Sequence, residues 1–452
     1  MNRADPGSFR DPASHVVLGD TTVTRILDER GLADWRALQQ TEFFRRATAD
    51  GRLIETSEVE APEGAAGALE HPRLRFITYP YEWTFSMLRD AAVLQLDLML
   101  EALAEGMILK DATPYNVQFV GGRPQFIDIG SFEQYRKGEP WIGYRQFCRQ
   151  YLHPLLMEAW CGVPFQPWLR GDPEGPTSAQ MWRLLPARRK ASPAAILHIG
   201  LQARAEARLA GREVRRSLAE AGFTADLIRA NVEKLRALVE SLEWETAGGA
   251  WSTYHGCDHV ARDRNLKTEF LIEALEEVSP ATVLDLGAND GHFSQVAVSR
   301  GADAIAVDGD EVVLDRLYRS LTPGVSMTPV LTDLQNPSPS QGWAGVERPS
   351  LFERARPDLV IAYGLIHHLI YTASIPPANV VEWLAGFGVP VVVEFVAPED
   401  PMVAQLTANK RPEELHADRD REAFERLVRR HFEVVREADL PGGTRRLYHL
   451  AR

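Results

Sequence analysis

Apolar and polar residues change rhythm about halfway along this chain. In the second half, short apolar runs alternate with amphipathic stretches. Thr282–Leu286, Ala304–Val307, Pro329–Leu334, Asp358–Ala362 and Pro390–Val393 read as buried strands. Between them, Phe293, Val296 and Ala297, and later Val313, Leu314, Leu317 and Tyr318, recur at helical spacing. A helix over 266–277, carrying Phe270, Leu271 and Leu275, precedes the first strand and ends at Pro280. Phe424, Leu427 and Val428 mark a last helix, and 432–435 with 446–450 add a closing hairpin. Strands that alternate with helices predict an α/β fold, a Rossmann-like sheet of seven strands.

The first half is less regular and predicts a mostly helical α+β domain. Residues 1–14 carry Pro6, Gly7 and Pro12 and read as a loose arm without function. Runs at 15–18 and 22–26 flank Gly19-Asp20 as a hairpin, followed by a helix over 34–48. Strands are expected at 53–59 and 74–78, around a loop at 61–67, then a helix over 89–105. An aromatic-rich helical stretch covers 141–156, and helix dominates 177–244. Ala247-Gly248-Gly249 reads as a linker, which divides the chain into domains 1–246 and 250–452.

Composition narrows the class without naming a function. At 452 residues and 45% hydrophobic, the chain is long enough for two cores. A net charge of −13 argues against a nucleic-acid groove as the main surface. Cys148, Cys161 and Cys257 show no CxxC spacing, so a reducing cytoplasm is expected and neither a disulfide framework nor a structural zinc site. The most apolar stretch, 91–109, contains Asp97, Glu101 and Glu105 and is therefore expected not to span a membrane.

The chemistry concentrates at Asp285-Leu286-Gly287-Ala288-Asn289-Asp290-Gly291, a glycine turn between strand and helix. A pyrophosphate-binding turn needs glycine two residues after the first, and Asn289 stands there, which disfavours NAD. Asp308, at the end of the second strand, is placed to accept from both ribose hydroxyls of a nucleoside. Asp285-x-Gly287-x-x-x-Gly291 resembles motif I of the class I S-adenosylmethionine (SAM) methyltransferases, and the resemblance extends over about 251–452. It implies SAM as cofactor, with Asp285, Gly287, Asn289 and Gly291 shaping the methionyl end and Asp308 on the ribose. Asp333 and Leu334 match the adenine side by position, although a helix N-cap at Asp333 is the competing reading. His367, in the pair His367-His368, and Glu394 are candidate proton acceptors for a hydroxyl substrate, with packing as the alternative for His367 and helix capping or ion pairing for Glu394. No metal is called for in an in-line methyl transfer. The asparagine-proline-proline-aromatic signature of amide and nucleobase methyltransferases is missing, which favours a small-molecule or glycan hydroxyl. The run Asn336–Pro339, Gly342-Trp343, Glu347-Arg348, the histidine pair and Glu394-Phe395-Val396 resembles a bacterial, nodulation-protein-like subgroup.

In the first half, Lys110-Asp111-Ala112-Thr113-Pro114-Tyr115-Asn116, a Gly121-Gly122 turn and Asp128-Ile129-Gly130 resemble the catalytic loop and Asp-x-Gly of protein-kinase-like folds, notably the aminoglycoside phosphotransferases. The resemblance implies Asp111 beside an acceptor hydroxyl, and Asn116 and Asp128 on magnesium and ATP. No lysine precedes Lys110, so the phosphate-neutralising lysine is missing, and only an arginine such as Arg25 or Arg52 could replace it. Three readings stand: a pseudokinase-like or scaffolding half, a working phosphotransferase in a bifunctional enzyme, or Asp111 and Asp128 as turn caps. The sequence leaves acceptor identity and oligomeric state unread.

Overall fold

The hairpin expected near the N-terminus widens into an antiparallel sheet. It is built from β1 (Arg3–Ala4), β2 (Ser14–Leu18), β3 (Thr22–Leu27), β4 (Ser57–Val59) and β5 (Gly67–Pro72), in the order β1-β2-β3-β5-β4. The computed structural model describes residues 3–10, 14–204, 224–244 and 258–452. The proposed linker at 247–249 and Cys257 lie outside the described residues. Two compact units emerge, Met1–Glu245 with Ser340–Pro349, and Thr246–Pro339 with Ser350–Arg452.

In the first unit, the arm is not loose throughout. Arg3 and Ala4 pair with Leu18 and Val17, making an edge strand. The strand expected at 74–78 instead occupies Gly67–Pro72, where Leu69 and His71 are buried. The helix expected over 34–48 is two helices, Glu29–Leu38 and Glu42–Ala49, because the side chains of Asp28 and Thr41 each cap a new first turn. A long helix, Phe85–Ala104, is buried over most of its surface. After β6 (Met107–Leu109), β7 (Val117–Val120) and β8 (Arg123–Phe126) make a hairpin on Gly121 and Gly122. Both glycines have positive φ (56° and 73°), as a type I′ turn requires. β9 (Phe132–Gln134) returns antiparallel to β6.

The second unit is built on β10 (Thr282–Leu286), β11 (Asp303–Asp308), β12 (Met327–Leu331), β13 (Leu359–Ala362), β14 (Val391–Val396), β15 (Glu433–Asp439) and β16 (Arg445–Ala451). Their order is β12-β11-β10-β13-β14-β16-β15, and β10 to β14 are parallel while β16 runs antiparallel to β14 and β15. A sheet with helices on both faces needs near-continuous apolar strands, and Val391–Val396 is buried at every position. One face packs Val283, Ile361, Val392 and Leu447 against Phe270, Leu271 and Leu275 of the Asp258–Val278 helix. The expected seven strands and closing hairpin are therefore present, in a mixed α/β chain. Among the described residues no helix is long and apolar enough to cross a membrane.

Candidate active site

The strand order reverses between β11 and β13, on either side of β10, and open parallel sheets form their ligand crevice at the carboxyl ends of such strands. There the chain leaves β10 through Gly287 (φ 81°), Asn289 (φ 49°) and Gly291 (φ 74°), all left-handed. At Gly287 a side chain would sit in ordinary contact with Leu365 Cβ, 3.6 Å away. Gly291 is tighter, since an added Cβ would lie 2.6 Å from Leu317 Cδ1. The turn is pinned by Gly287 and Ala288, whose amides donate to the Val307 carbonyl at 2.8 and 2.9 Å.

Two acids flank this turn. Asp285 is buried within β10 and accepts the Ser294 hydroxyl at 2.7 Å. Burial pushes its carboxyl up to about 7, against the Ser294 hydrogen bond, and the nearby Asp308 adds to the rise. Asp308, which ends β11, accepts from the Asn289 and Asp310 amides, each at 2.9 Å. Burial raises its pKa as well, and those amides hold the rise back. Asp308 thus faces the glycine turn. Asp333 accepts the Gln335 amide at 2.9 Å in a turn. No helix starts there, so the N-cap alternative does not apply; Leu334 beside it is half-buried.

On the other side of β10, His367 follows β13 and Glu394 lies in the second half of β14. His367 is buried, its ring lies 4.1 Å from that of His368, and neither ring nitrogen has a hydrogen-bond partner. Burial, then His368, lowers its pKa to about 3, so the ring is neutral. Glu394 lies inside β14, with no exposed surface. It accepts the Gly364 amide at 2.7 Å and pairs with Lys267 at 2.8 Å and Arg445 at 3.3 Å. Burial alone would raise its pKa, but the two cations outweigh that and hold it below the usual carboxylate range. Lys267 and Arg445 were not anticipated; they lie 127 and 51 residues from Glu394, and only the tertiary fold reveals them.

In the first unit, Asp128 and Asn116 come together. Asn116 Nδ2 donates to Asp128 Oδ2 at 3.3 Å and to Ser131 Oγ at 2.9 Å, and Ser131 donates to the same carboxylate. Arg25 completes the cluster with an ion pair to Asp128 and a 3.0 Å hydrogen bond to Ser14 Oγ. Arg52 is elsewhere, paired with Asp50 and Glu101. The Asp111 carbonyl accepts from Gln95 at 3.1 Å. Among the described residues, no group of three or more His, Cys, Asp or Glu side chains is placed to hold a metal ion.

No protein-family model matches the chain. Among solved structures, the magnesium protoporphyrin IX methyltransferase ChlM of Synechocystis PCC 6803, with bound SAH, is 12% identical with a TM-score of 0.30, covering 49% of this chain and 94% of that one. The N-methyltransferase NodS of Bradyrhizobium japonicum WM9 is also 12% identical at a TM-score of 0.30, over 43% of this chain and 97% of its own. The nodulation protein NoeA of Rhizobium meliloti (strain 1021) is 35% identical over an alignment 458 positions long, spanning 99% of this chain and 95% of the relative. At that identity over nearly the whole of both chains, the chain belongs to the NoeA family.

Proposed function

We propose that the second unit is a SAM-dependent methyltransferase acting on a small-molecule or glycan hydroxyl. One observation carries the reading: beside a left-handed glycine turn, the buried Asp285 and the half-buried Asp308 have hydroxyl and amide donors but no cationic partner among the described residues. Such a pair suits a nucleoside that brings positive charge and no phosphate. The glycines fit it too, since Gly287 leaves the floor of the crevice bare where a side chain would project towards Leu365. Bound SAM would supply an electrophilic methyl group on a sulfonium.

The chain's own part is orientation and proton handling. Asp308 is positioned to accept from ribose hydroxyls, and the turn through Asn289 keeps its carboxylate facing the crevice. Asp333 and Leu334 are assigned to the adenine side. His367 is the better contact for the acceptor of the two proposed, because its buried nitrogens lack partners and an incoming hydroxyl would donate to one of them, orienting the acceptor, while a pKa near 3 leaves the ring a weak base. Glu394, already carrying an amide and two cations, is a poor proton acceptor.

The test is calorimetry of the full chain with SAM, alongside mass spectrometry of any ligand carried through purification. The reading expects SAM binding that Asp308→Ala weakens by at least tenfold. Absence of SAM binding would refute it.

A second reading concerns the first unit. We infer that it is a pseudokinase-like companion without phosphotransfer, because the side chain of Asp128 is already engaged by Arg25, Ser131 and Asn116. Magnesium and ATP do not fit that arrangement. A thermal melt raised by ATP with magnesium would overturn this reading.

A further inference from the structure

The Asp258–Val278 helix presents Arg264, Lys267 and Thr268 at i, i+3 and i+4, a spacing that puts them on one face. Arg264 and Thr268 hold the exit of β10, and Lys267 links β14 to the exit of β13. Arg264 pairs with Asp290 in the glycine turn. The Thr268 hydroxyl donates to Arg264 O at 2.7 Å and meets His292 Nε2 at 2.9 Å, at the start of the next helix. Lys267 reaches Glu394 at 2.8 Å, while its carbonyl accepts the Tyr363 hydroxyl at 3.3 Å.

Glu394 passes this constraint on. Its Oε2 holds the amide of Gly364, a residue at φ 62°, and the next residue, Leu365, lies against Gly287. Its Oε1 faces Arg445, which also pairs with Asp400 at 2.8 Å, and Asp400 in turn accepts Thr444 Oγ1 at 2.7 Å and the Met402 amide at 2.9 Å. Two carboxylates and two cations therefore sum to zero charge, with Glu394 wholly buried and neither Lys267 nor Arg445 more than 19% exposed. Buried charges are weakly screened, so an imbalance here reaches the neighbouring crevice.

We propose that Lys267 and Glu394 are a charge-balanced positioning pair, and that their balance sets how far the crevice prefers the sulfonium of SAM over the uncharged thioether of its product. The inference rests on the methyltransferase reading and adds residues that it does not need. SAM and S-adenosylhomocysteine differ by one methyl group and one positive charge. Removing Glu394's charge leaves the cluster at +1 and disfavours SAM relative to product. Removing Lys267's charge leaves −1 and does the opposite. The sign holds at any distance across the crevice.

The experiment is titration calorimetry of the full chain with SAM and with S-adenosylhomocysteine, for the parent, Glu394→Gln, Lys267→Met and the double variant. The ratio of the two dissociation constants should move roughly five- to twentyfold towards product in Glu394→Gln, and by a similar factor towards SAM in Lys267→Met. The double variant should return to within about threefold of the parent. Arg445→Met carries the same expected sign as Lys267→Met and serves if the latter does not fold. Equal weakening of both ligands in each single variant would reduce the pair to geometry and overturn the inference. A parent that binds neither ligand would overturn the methyltransferase reading itself, a different outcome from the first.

Discussion

Asp285→Asn isolates the energetic consequence of placing a carboxyl in the centre of a parallel sheet. The native side chain is buried in β10, and burial raises its pKa to about 7. An unfolded aspartate titrates near ~3.9, so the interval corresponds to roughly 4 kcal/mol. Because the folded value is the higher one, the contribution favours the folded state, is complete below about pH 3.9 and is lost as pH rises through about 7. About 3 kcal/mol of that loss falls between pH 5 and pH 8. Asparagine can still accept the Ser294 hydroxyl but has no charge to desolvate, so its stability lacks this pH dependence. Hydrogen exchange at the Leu284 and Leu286 amides, on the full chain and corrected for intrinsic rate, reads the local opening of β10 without interference from the first unit. Relative to the parent, Asp285→Asn should gain protection by roughly a hundredfold from pH 5 to pH 8. Parallel curves for the two proteins would refute the argument that burial governs this carboxyl.

The same raised pKa predicts that SAM binding near pH 7 releases up to about half a proton, because positive charge in the crevice favours the carboxylate. Calorimetry in buffers of different ionisation enthalpy measures this, and Asp285→Asn should abolish it. Gly291→Ala should cost about 2–3 kcal/mol in a urea melt, since φ is 74° and the new Cβ would meet Leu317 at 2.6 Å. Gly364→Ala, at φ 62° but with its nearest neighbour 3.9 Å away, should cost only about 1 kcal/mol. Arg25→Met should destabilise the first unit by about 1–3 kcal/mol, because Asp128 would keep only hydroxyl and amide partners. Arg52→Met should cost less than about 1 kcal/mol, its partners Asp50 and Glu101 being more exposed.

The second sheet was legible because parallel strands covered on both faces must be apolar throughout, and runs such as Val283-Leu284 and Val391-Val392-Val393 announce themselves. The glycine turn was legible for a different reason: Gly287 and Gly291 carry backbone angles that other residues adopt at a cost. The first unit was harder. Gly67–Pro72 has few β-branched residues, and its strand character comes from pairing with Thr22–Leu27. Asp28 and Thr41 did carry an available signal for two helices where one was expected. Grouping of Ser340–Pro349 with the first unit had no local signal, since Arg348 stacks 4.4 Å from the centre of the Tyr115 ring, more than two hundred residues away in sequence. Ion pairing stood among the readings of Glu394, but its partners Lys267 and Arg445 were not legible, because ion-pair partners are chosen by the tertiary fold.

Cations fall unevenly on the acids described above. Asp128 has Arg25, Glu394 has Lys267 and Arg445, and Asp400 has Arg445. Each of these acids is neutralised within its own unit, and the pKa values of Glu394 and Asp400 are accordingly depressed. Asp285 and Asp308 have only hydroxyl and amide donors, and both are raised. Hydrogen bonds from neutral donors offset only part of the desolvation of a charge, so these two positions are costly in the free protein. A cationic ligand at the strand ends would supply the countercharge that the chain itself withholds there. An anionic dinucleotide would aggravate the deficit, and for that reason the electrostatics of the crevice and the asparagine in its glycine turn favour the same class of ligand.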